Sequence, residues 1–379
     1  MIRSPKNGRR RRKWLLVLAL LLAVLTVSGC ETLGFYTQAI KGQYQMIAHQ
    51  RPVEKVLADP RTPPRLKEQL QLLQNLLAFA GKDLKLVVDG QYRKYADLHR
   101  PYAVWNVEAA PEFSLEPKAW WYPLVGSLEY RGYFSQRSAN AYADRLRARG
   151  YDVYTGGVEA YSTLGWFKDP ILNTFIFNPE PDLAEVIFHE LSHQRVFAHG
   201  DTDFNEAFAT TVGQEGARRW LAARSDSSTY ASYLSQLQRT DQFVHLIMNT
   251  RAQLEELYGD ERTAEGKIKA AKKHPVPTEQ LRQEKLRIMD RLQQDYAQLK
   301  AQWGGGTGYD NWFGRQVNNA QLNSVAAYYD LVPGFQRLLE SNGGDLEKFY
   351  QAADKLAKKP KKERQQSLRT MGAEEKKQL

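Results

Sequence analysis

The chain has 379 residues, 42 % of them hydrophobic, with one cysteine and a formal net charge of +10. A single cysteine excludes an intrachain disulfide. Residues 1–30 hold seven basic residues and no acidic one, which leaves the rest at only +3. That balance gives no electrostatic footprint for nucleic acid, and the length allows one large core or two smaller ones.

The chain opens with a basic run, MIRSPKNGRRRRK, followed by the apolar run Trp14–Val27. This run of 14 residues falls short of the ~20 that cross a bilayer. The pattern is that of a leader, to be set aside before the fold is read. It closes on VSGC, small residues ahead of Cys30. This resembles the lipobox of bacterial lipoproteins. The resemblance implies that residues 1–30 are a signal peptide, that Cys30 carries lipid, and that the protein is membrane-anchored and faces the periplasm. Glu31, where an aspartate would indicate retention at the inner membrane, favours the outer membrane.

Residues 35–80 read as helix. The signal is clearest in TPPRLKEQLQLLQNLLAFAGK, where Leu66, Leu70, Leu73, Leu76 and Leu77 recur at helical spacing. Pro63 and Pro64 start this helix and Gly81 stops it. Residues 82–180 are mixed. LKLVVDG, WNVEAA and WWYPLVGSLEY carry the valine, tryptophan and tyrosine enrichment of strands. SANAYADRLRARG (138–150) reads as a helix closed by Gly150. YDVYTGGVEAYS reads as strand, turn and strand, and ILNTFIF (171–177) as a strand just before the next helix.

Residues 225–300 form two helices split by KHPVPTEQ, a long αα hairpin, and GGGTG (304–308) is a flexible joint. A last helical part runs over 315–357. The charged tail, 358–379, reads as disordered. Residues 31–357 then form a single region of α+β class. It is mainly helical, with a small sheet before the motif helix and a helical C-terminal half.

The chemistry is concentrated in PDLAEVIFHELSHQRVFAHG, a helix starting at Pro181 and stopping at Gly200. His189 and His193 lie one turn apart on one face. Two imidazoles so spaced can point nitrogens at one ion. Zinc takes such ligands at about 2.0–2.1 Å and in a catalytic site keeps a position for water. Glu190 leans to the metal's side and is placed as general base for that water. The flanking Ile187, Leu191, Ser192 and Gln194 are uncharged, as a buried metal helix requires; Arg195 is the exception.

Two residues compete for the third ligand position. His199 has the metzincin spacing from His189, but the metzincin turn depends on a glycine where Val196 stands. Without it the helix runs on past 196 and carries His199 away from the shared face. Glu206 lies in a second helix, DTDFNEAFATTVGQEG, which an antiparallel return after Gly200 would bring back to the histidines. A plainer reading makes Glu206 a cap, with Asp203 as N-cap and Glu206 at N3 of a capping box. Asp201 and Asp203 are candidate acceptors for a ligand imidazole, or solvated loop carboxylates. Tyr161, Tyr328 and Tyr329 are candidate donors to an oxyanion, or ordinary core and surface tyrosines.

Several blocks, in order, resemble a known family: VSGC, VGSLEYRGYFS (125–135), AYSTLGWFKDPI (160–171), IFHELSHQ with DTDFNEAFAT (187–210), and NNAQLNSVAAYYDLVPGF (318–335). The family is that of bacterial lipoproteins named putative aminopeptidases, zinc peptidases of the gluzincin type. The resemblance implies a zincin-like fold and one zinc per chain. It places the metal on His189, His193 and Glu206, and makes Glu190 the base. It calls for no histidine where His199 stands. The expected activity is a zinc-dependent peptidase, with aminopeptidase the nearest description. The expected partners are a peptide or protein substrate and a membrane reached through Cys30, with no nucleic acid. An aminopeptidase also needs a carboxylate for the substrate's free amine, and the sequence singles none out. Two readings stand beside this one. One is a non-catalytic lipid-anchored scaffold or chaperone working through the 225–300 hairpin. The other is a metal-dependent hydrolase of cell-wall peptides with the same site.

Overall fold

The computed structural model describes residues 34–375, apart from 49, 123–125, 161–167, 225, 264–266 and 306–307. The leader with Cys30, and Tyr161 with the STLGWF stretch, lie outside the described residues. The first helical part is divided into α1 (34–48), α2 (Val53–Ala58) and α3 (Pro64–Lys82), with β1 (Arg51–Pro52) after α1. Pro52, Pro60 and Pro63 punctuate the run, because proline offers no amide to a helix interior. In α3 the stripe Leu66, Leu70, Leu73 and Leu76 is buried, each leucine contributing about 1.5–3 kcal/mol. Gly81 does not stop this helix, which continues to Lys82.

LKLVVDG forms no strand. Leu84 and Leu86 fold back to close the end of α3, their amides donating to Phe79 O and Ala80 O, and Lys85 takes φ +59° between them. The strands that do form are β2 (Lys94–Ala96), β3 (Val104–Pro111), β4 (Trp120–Tyr122), β5 (Gly126–Leu128) and β6 (Arg131–Tyr133). After α4 (Gln136–Arg147) come β7 (Tyr151–Val158) and β8 (Ile171–Leu172). Within ILNTFIF only those two residues of β8 extend, pairing with β2; the rest turns and buries Phe175 and Ile176.

β3 is the centre of an antiparallel sheet, between β6 and β7. β7 passes through Gly156 and Gly157 without the expected turn and pairs with β3 from Val104↔Val158 to Pro111↔Tyr151. Gly157 is needed there because a Cβ would lie 2.4 Å from the Tyr102 ring. α4 packs on one face of this sheet, against Trp105, Val107 and Ala109.

Among the described residues the remainder is helical apart from one small β hairpin and the connecting loops. α5 (Glu180–Ser192) and α6 (Thr202–Ala222) pack antiparallel. α7 (Ser227–Tyr258) and α8 (Thr278–Gln302) form the αα hairpin, with β9 (Glu261–Arg262) paired to β10 (Ile268–Lys269) between them. α9 (Asp310–Phe313), α10 (Asn319–Tyr329), α11 (Val332–Ser341), α12 (Leu346–Ala357) and α13 (Lys361–Glu375) follow. α10 packs on β3 and β7 and also against α6. It is tied to the sheet by Asn319, whose Nδ2 donates to Pro111 O and Glu112 O.

The disordered tail expected over 358–379 is instead a docked helix as far as Glu375. α13 lies against α11, where the Gly334 backbone passes so near Leu368 O that a Cβ would sit 2.2 Å away. Leu368, Arg364 and Gln365 are buried. Part of the charge that reads as solvated is paired with the body of the protein: Lys361 and Arg364 with Asp201, and Arg369 with Asp330. The molecule is thus mainly helical with small sheets, of α+β type. No helix among the described residues is long and apolar enough to cross a membrane.

Candidate active site

α5 begins behind Pro179 and carries Glu180 and Asp182 in its first turn, where negative charge favours the helix. It ends earlier than Gly200 implies. Ser192 is its last residue and His193 its C-cap, and Ser192 Oγ donates back to His189 O at 2.7 Å. The chain then turns, so Arg195 leaves the α5 surface, pairs with Glu347 and lies over the Tyr350 ring. His199 is exposed and packs edge-on against Phe197. It is absent from the group of close potential ligands among the described residues.

α6 starts differently from the capping-box expectation. Its N-cap is Asp201, whose carboxylate accepts from Phe204 N–H. Glu206 therefore has no part in the cap and faces α5. Asn205 fixes the connecting loop: its Oδ1 accepts from Ala198 N–H at 2.7 Å and its Nδ2 donates to Ala198 O at 2.9 Å. Gly213 and Gly216 let the helices approach. A Cβ at Gly213 would lie 2.8 Å from Glu185 O, and one at Gly216 would lie 2.7 Å from the Phe188 ring.

The result is a convergence of three side chains. Glu206 Oε2 is 3.3 Å from His189 Nε2 and 3.9 Å from His193 Nε2. One ligand atom from each of the three lies within 4.8 Å of the others. Burial opposes a charge on His189, but the hydrogen bond and charge of Glu206 outweigh it and raise its pKa. Burial depresses His193 to about 4, so it is neutral at pH 7 with a bare nitrogen to offer. For Glu206, burial is outweighed in turn by the hydrogen bond from His189, and its carboxyl is held below the usual range. Glu190 behaves oppositely. Burial, helped by the charges of Glu206 and Asp169 and opposed by His189, raises it to about 7.

Of the three tyrosines proposed from sequence, Tyr161 lies outside the described residues. Tyr329 packs between two hydrophobic clusters, a core role. Tyr328 is at the site: it is partly exposed, and its ring centre is 6.4 Å from that of His189. The charge of Glu206, then burial, raises its pKa well above the usual value, so it stays a hydroxyl donor.

Asp201 and Asp203 do not serve the imidazoles. Asp201 is fully buried and pairs with Arg364 at 2.7 Å and Lys361 at 3.1 Å. Asp203 accepts weakly from Gln365 and lines a cavity of about 170 Å³ that none of the site residues lines. Buried Arg251 lines the same cavity and donates to Asn323 Oδ1 at 3.0 Å. His193 Nδ1 is buried without a hydrogen-bond partner among the described residues.

Two contributors escaped the sequence reading. Glu108 lies on β3, where side chains alternate; Val107 and Ala109 point into the α4 cluster, so Glu108 faces the α10 side. Its charge acts on Tyr328, while burial and the neighbouring Glu129 push its own carboxyl up to about 8. A lone acid within the apolar run WNVEAA was the available signal. The second is Tyr92, a buried residue at φ +57° whose hydroxyl is raised well above normal by burial and by the charge of Glu190. No pattern in the sequence marks it, because a turn 98 positions before Glu190 brings it there.

A family model described as "Putative aminopeptidase" matches residues 34–368. No curated protein and no solved structure matches the chain.

Proposed function

The chain belongs to the putative aminopeptidase family, and from that premise and the site geometry we propose that it is a zinc-dependent peptidase acting at peptide N-termini. The observation that carries the proposal is the convergence of His189, His193 and Glu206 beside Glu190. Two imidazole nitrogens and one carboxylate oxygen are a donor set that suits zinc and leaves a coordination position open. The neutral state of His193 fits that role, as does a Glu206 carboxylate held ionised by its neighbours. His189, His193 and Glu206 would hold the ion in a zincin-like arrangement. When bound, zinc would polarise the scissile carbonyl and make a nearby water more acidic.

The other roles belong to the chain's own side chains. Glu190 takes the proton from the attacking water and returns it to the leaving amine, work suited to a carboxyl near pKa 7. Tyr328 donates its O–H to the oxygen on which negative charge develops. Glu108 is the carboxylate that receives the substrate's ammonium group; an arriving cation favours its ionised form. Cys30 is the point of lipid attachment, a reading supported by VSGC, and it would hold the enzyme at the periplasmic side of an envelope membrane.

The test is Glu190→Gln in the zinc-loaded protein, with peptides bearing free N-termini as substrates. Turnover should fall by about 10²–10⁴-fold, with zinc content and melting temperature unchanged. Retained turnover would remove the base from the account, and absent turnover in the parent chain would remove the peptidase.

A further inference from the structure

α1 is apolar on two opposite faces. The inner face is docked: Met46 is buried and Gln38 Oε1 accepts from Phe134 N–H at 2.9 Å. Gly42 passes so close to the Phe134 ring that a Cβ there would lie 2.0 Å from it. The outer face carries Tyr36, Ile40, Tyr44 and Ile47, at spacings that line up along one side of a helix. All four are exposed, Ile40 by 71 % and Tyr44 by 68 %. Phe35 packs on Tyr122 at 5.8 Å, and the adjacent Trp121 is 71 % exposed. Contiguous exposed apolar surface marks an interaction site.

We infer that the outer stripe of α1, with Trp121, lies against the surface of a phospholipid bilayer. The inference rests on the lipid attachment proposed for Cys30. α1 begins four residues after that cysteine, a stretch that spans at most about 14 Å even when fully extended. Lipid on Cys30 therefore holds α1 at the headgroup level, and the face turned outward there is apolar. The side chains suit that depth: tyrosine and tryptophan favour the membrane interface, and exposed Lys41 beside Ile40 can meet lipid phosphates. The protein is then held by two contacts, lipid and helix face, which fixes its orientation on the membrane.

The experiment uses residues 31–379, which include every described element and lack the cysteine, so lipid attachment plays no part. Flotation with mixed phosphatidylethanolamine–phosphatidylglycerol vesicles should carry the protein upward, with a blue shift of emission that Trp121→Phe reduces. Replacing Ile40 and Tyr44 together by serine should weaken partitioning by on the order of 100-fold while leaving the melting temperature unchanged. Three outcomes would overturn the inference. They are no vesicle binding, equal binding by the double variant, or a vesicle-free dimer that the double variant dissolves, which would make a second copy the occupant. None of these bears on lipid attachment itself, which incorporation of a labelled fatty acid into the full chain, lost in Cys30→Ser, tests separately.

Discussion

Glu206 on α6 reaches across to His189 on α5, Oε2 to Nε2, at 3.3 Å. The contact exists because Asp201, and not Asp203, caps α6. It also requires the two helices to lie close, which Gly213 and Gly216 permit.

That closeness is testable without touching a ligand. In Gly213→Ala the new methyl meets backbone, Glu185 O at 2.8 Å, so α6 must move away from α5. Overpacking of this kind costs about 1–3 kcal/mol. The expected outcome is a lower melting temperature together with weaker zinc binding in a competitive chelator titration. A stable variant with parental zinc affinity would show that the helix approach does not set the site.

Activity should depend on pH through Glu190. Its carboxyl is raised to about 7, burial being the largest cause, and a bound cation would lower it again. A general base works only when deprotonated, so kcat/KM should rise with pH and level off, with a midpoint at or below about 7. A rate that climbs as pH falls would contradict the assignment.

Glu108 carries two expectations. As the ammonium receptor, its change to glutamine should raise KM for peptides with free N-termini and leave N-acetylated peptides unaffected. The second concerns stability. An acid raised from 4.5 to about 8 on folding holds its proton in the folded state between those values. Its contribution is therefore lost as pH rises through that window. Chemical unfolding of Glu108→Gln should show a smaller loss of stability from pH 5 to pH 8 than the parent. Parallel profiles would mean that Glu108 does not titrate in that range.

Asp201 joins α6 to the C-terminal helix. Removing one partner of a buried ion pair costs about 3–5 kcal/mol, and Asp201→Ala would leave Arg364 buried without its carboxylate. Urea unfolding should register a loss of that size, and protease should cut first within 358–375. Resistance of that segment to protease in the variant would show that α13 is held without the Asp201 pair.

Much of this was legible in the sequence. The leucine stripe of α3, the αα hairpin and the start of the motif helix follow from local spacing, because each is a periodic signal, although Gly81 and Gly200 do not mark the ends of α3 and α5. The failures share a cause. α13 reads as a solvated charge run until Asp201, more than 150 positions away, supplies its partner. β7 looks like a hairpin because its two glycines suit a turn, but Gly157 is there to make room for Tyr102 and Gly156 lies against the Tyr154 ring. α5 stops at Ser192, and the chain beyond it is held at Ala198 by Asn205 of α6, a contact that spacing within the helix does not show. Glu108 was visible as a lone acid in a strand, but only the pleat and the position of α10 show which way it faces.

The most direct test of the central claim is the metal content of residues 31–379 beside that of Glu206→Ala, by elemental analysis after zinc loading and dialysis. The account predicts one zinc per chain in the parent. In the variant the loss of affinity should exceed the 10–100-fold typical of removing a mere hydrogen-bond partner of a ligand. Zinc retained undiminished in the variant, or no zinc in the parent under any loading condition, would contradict it.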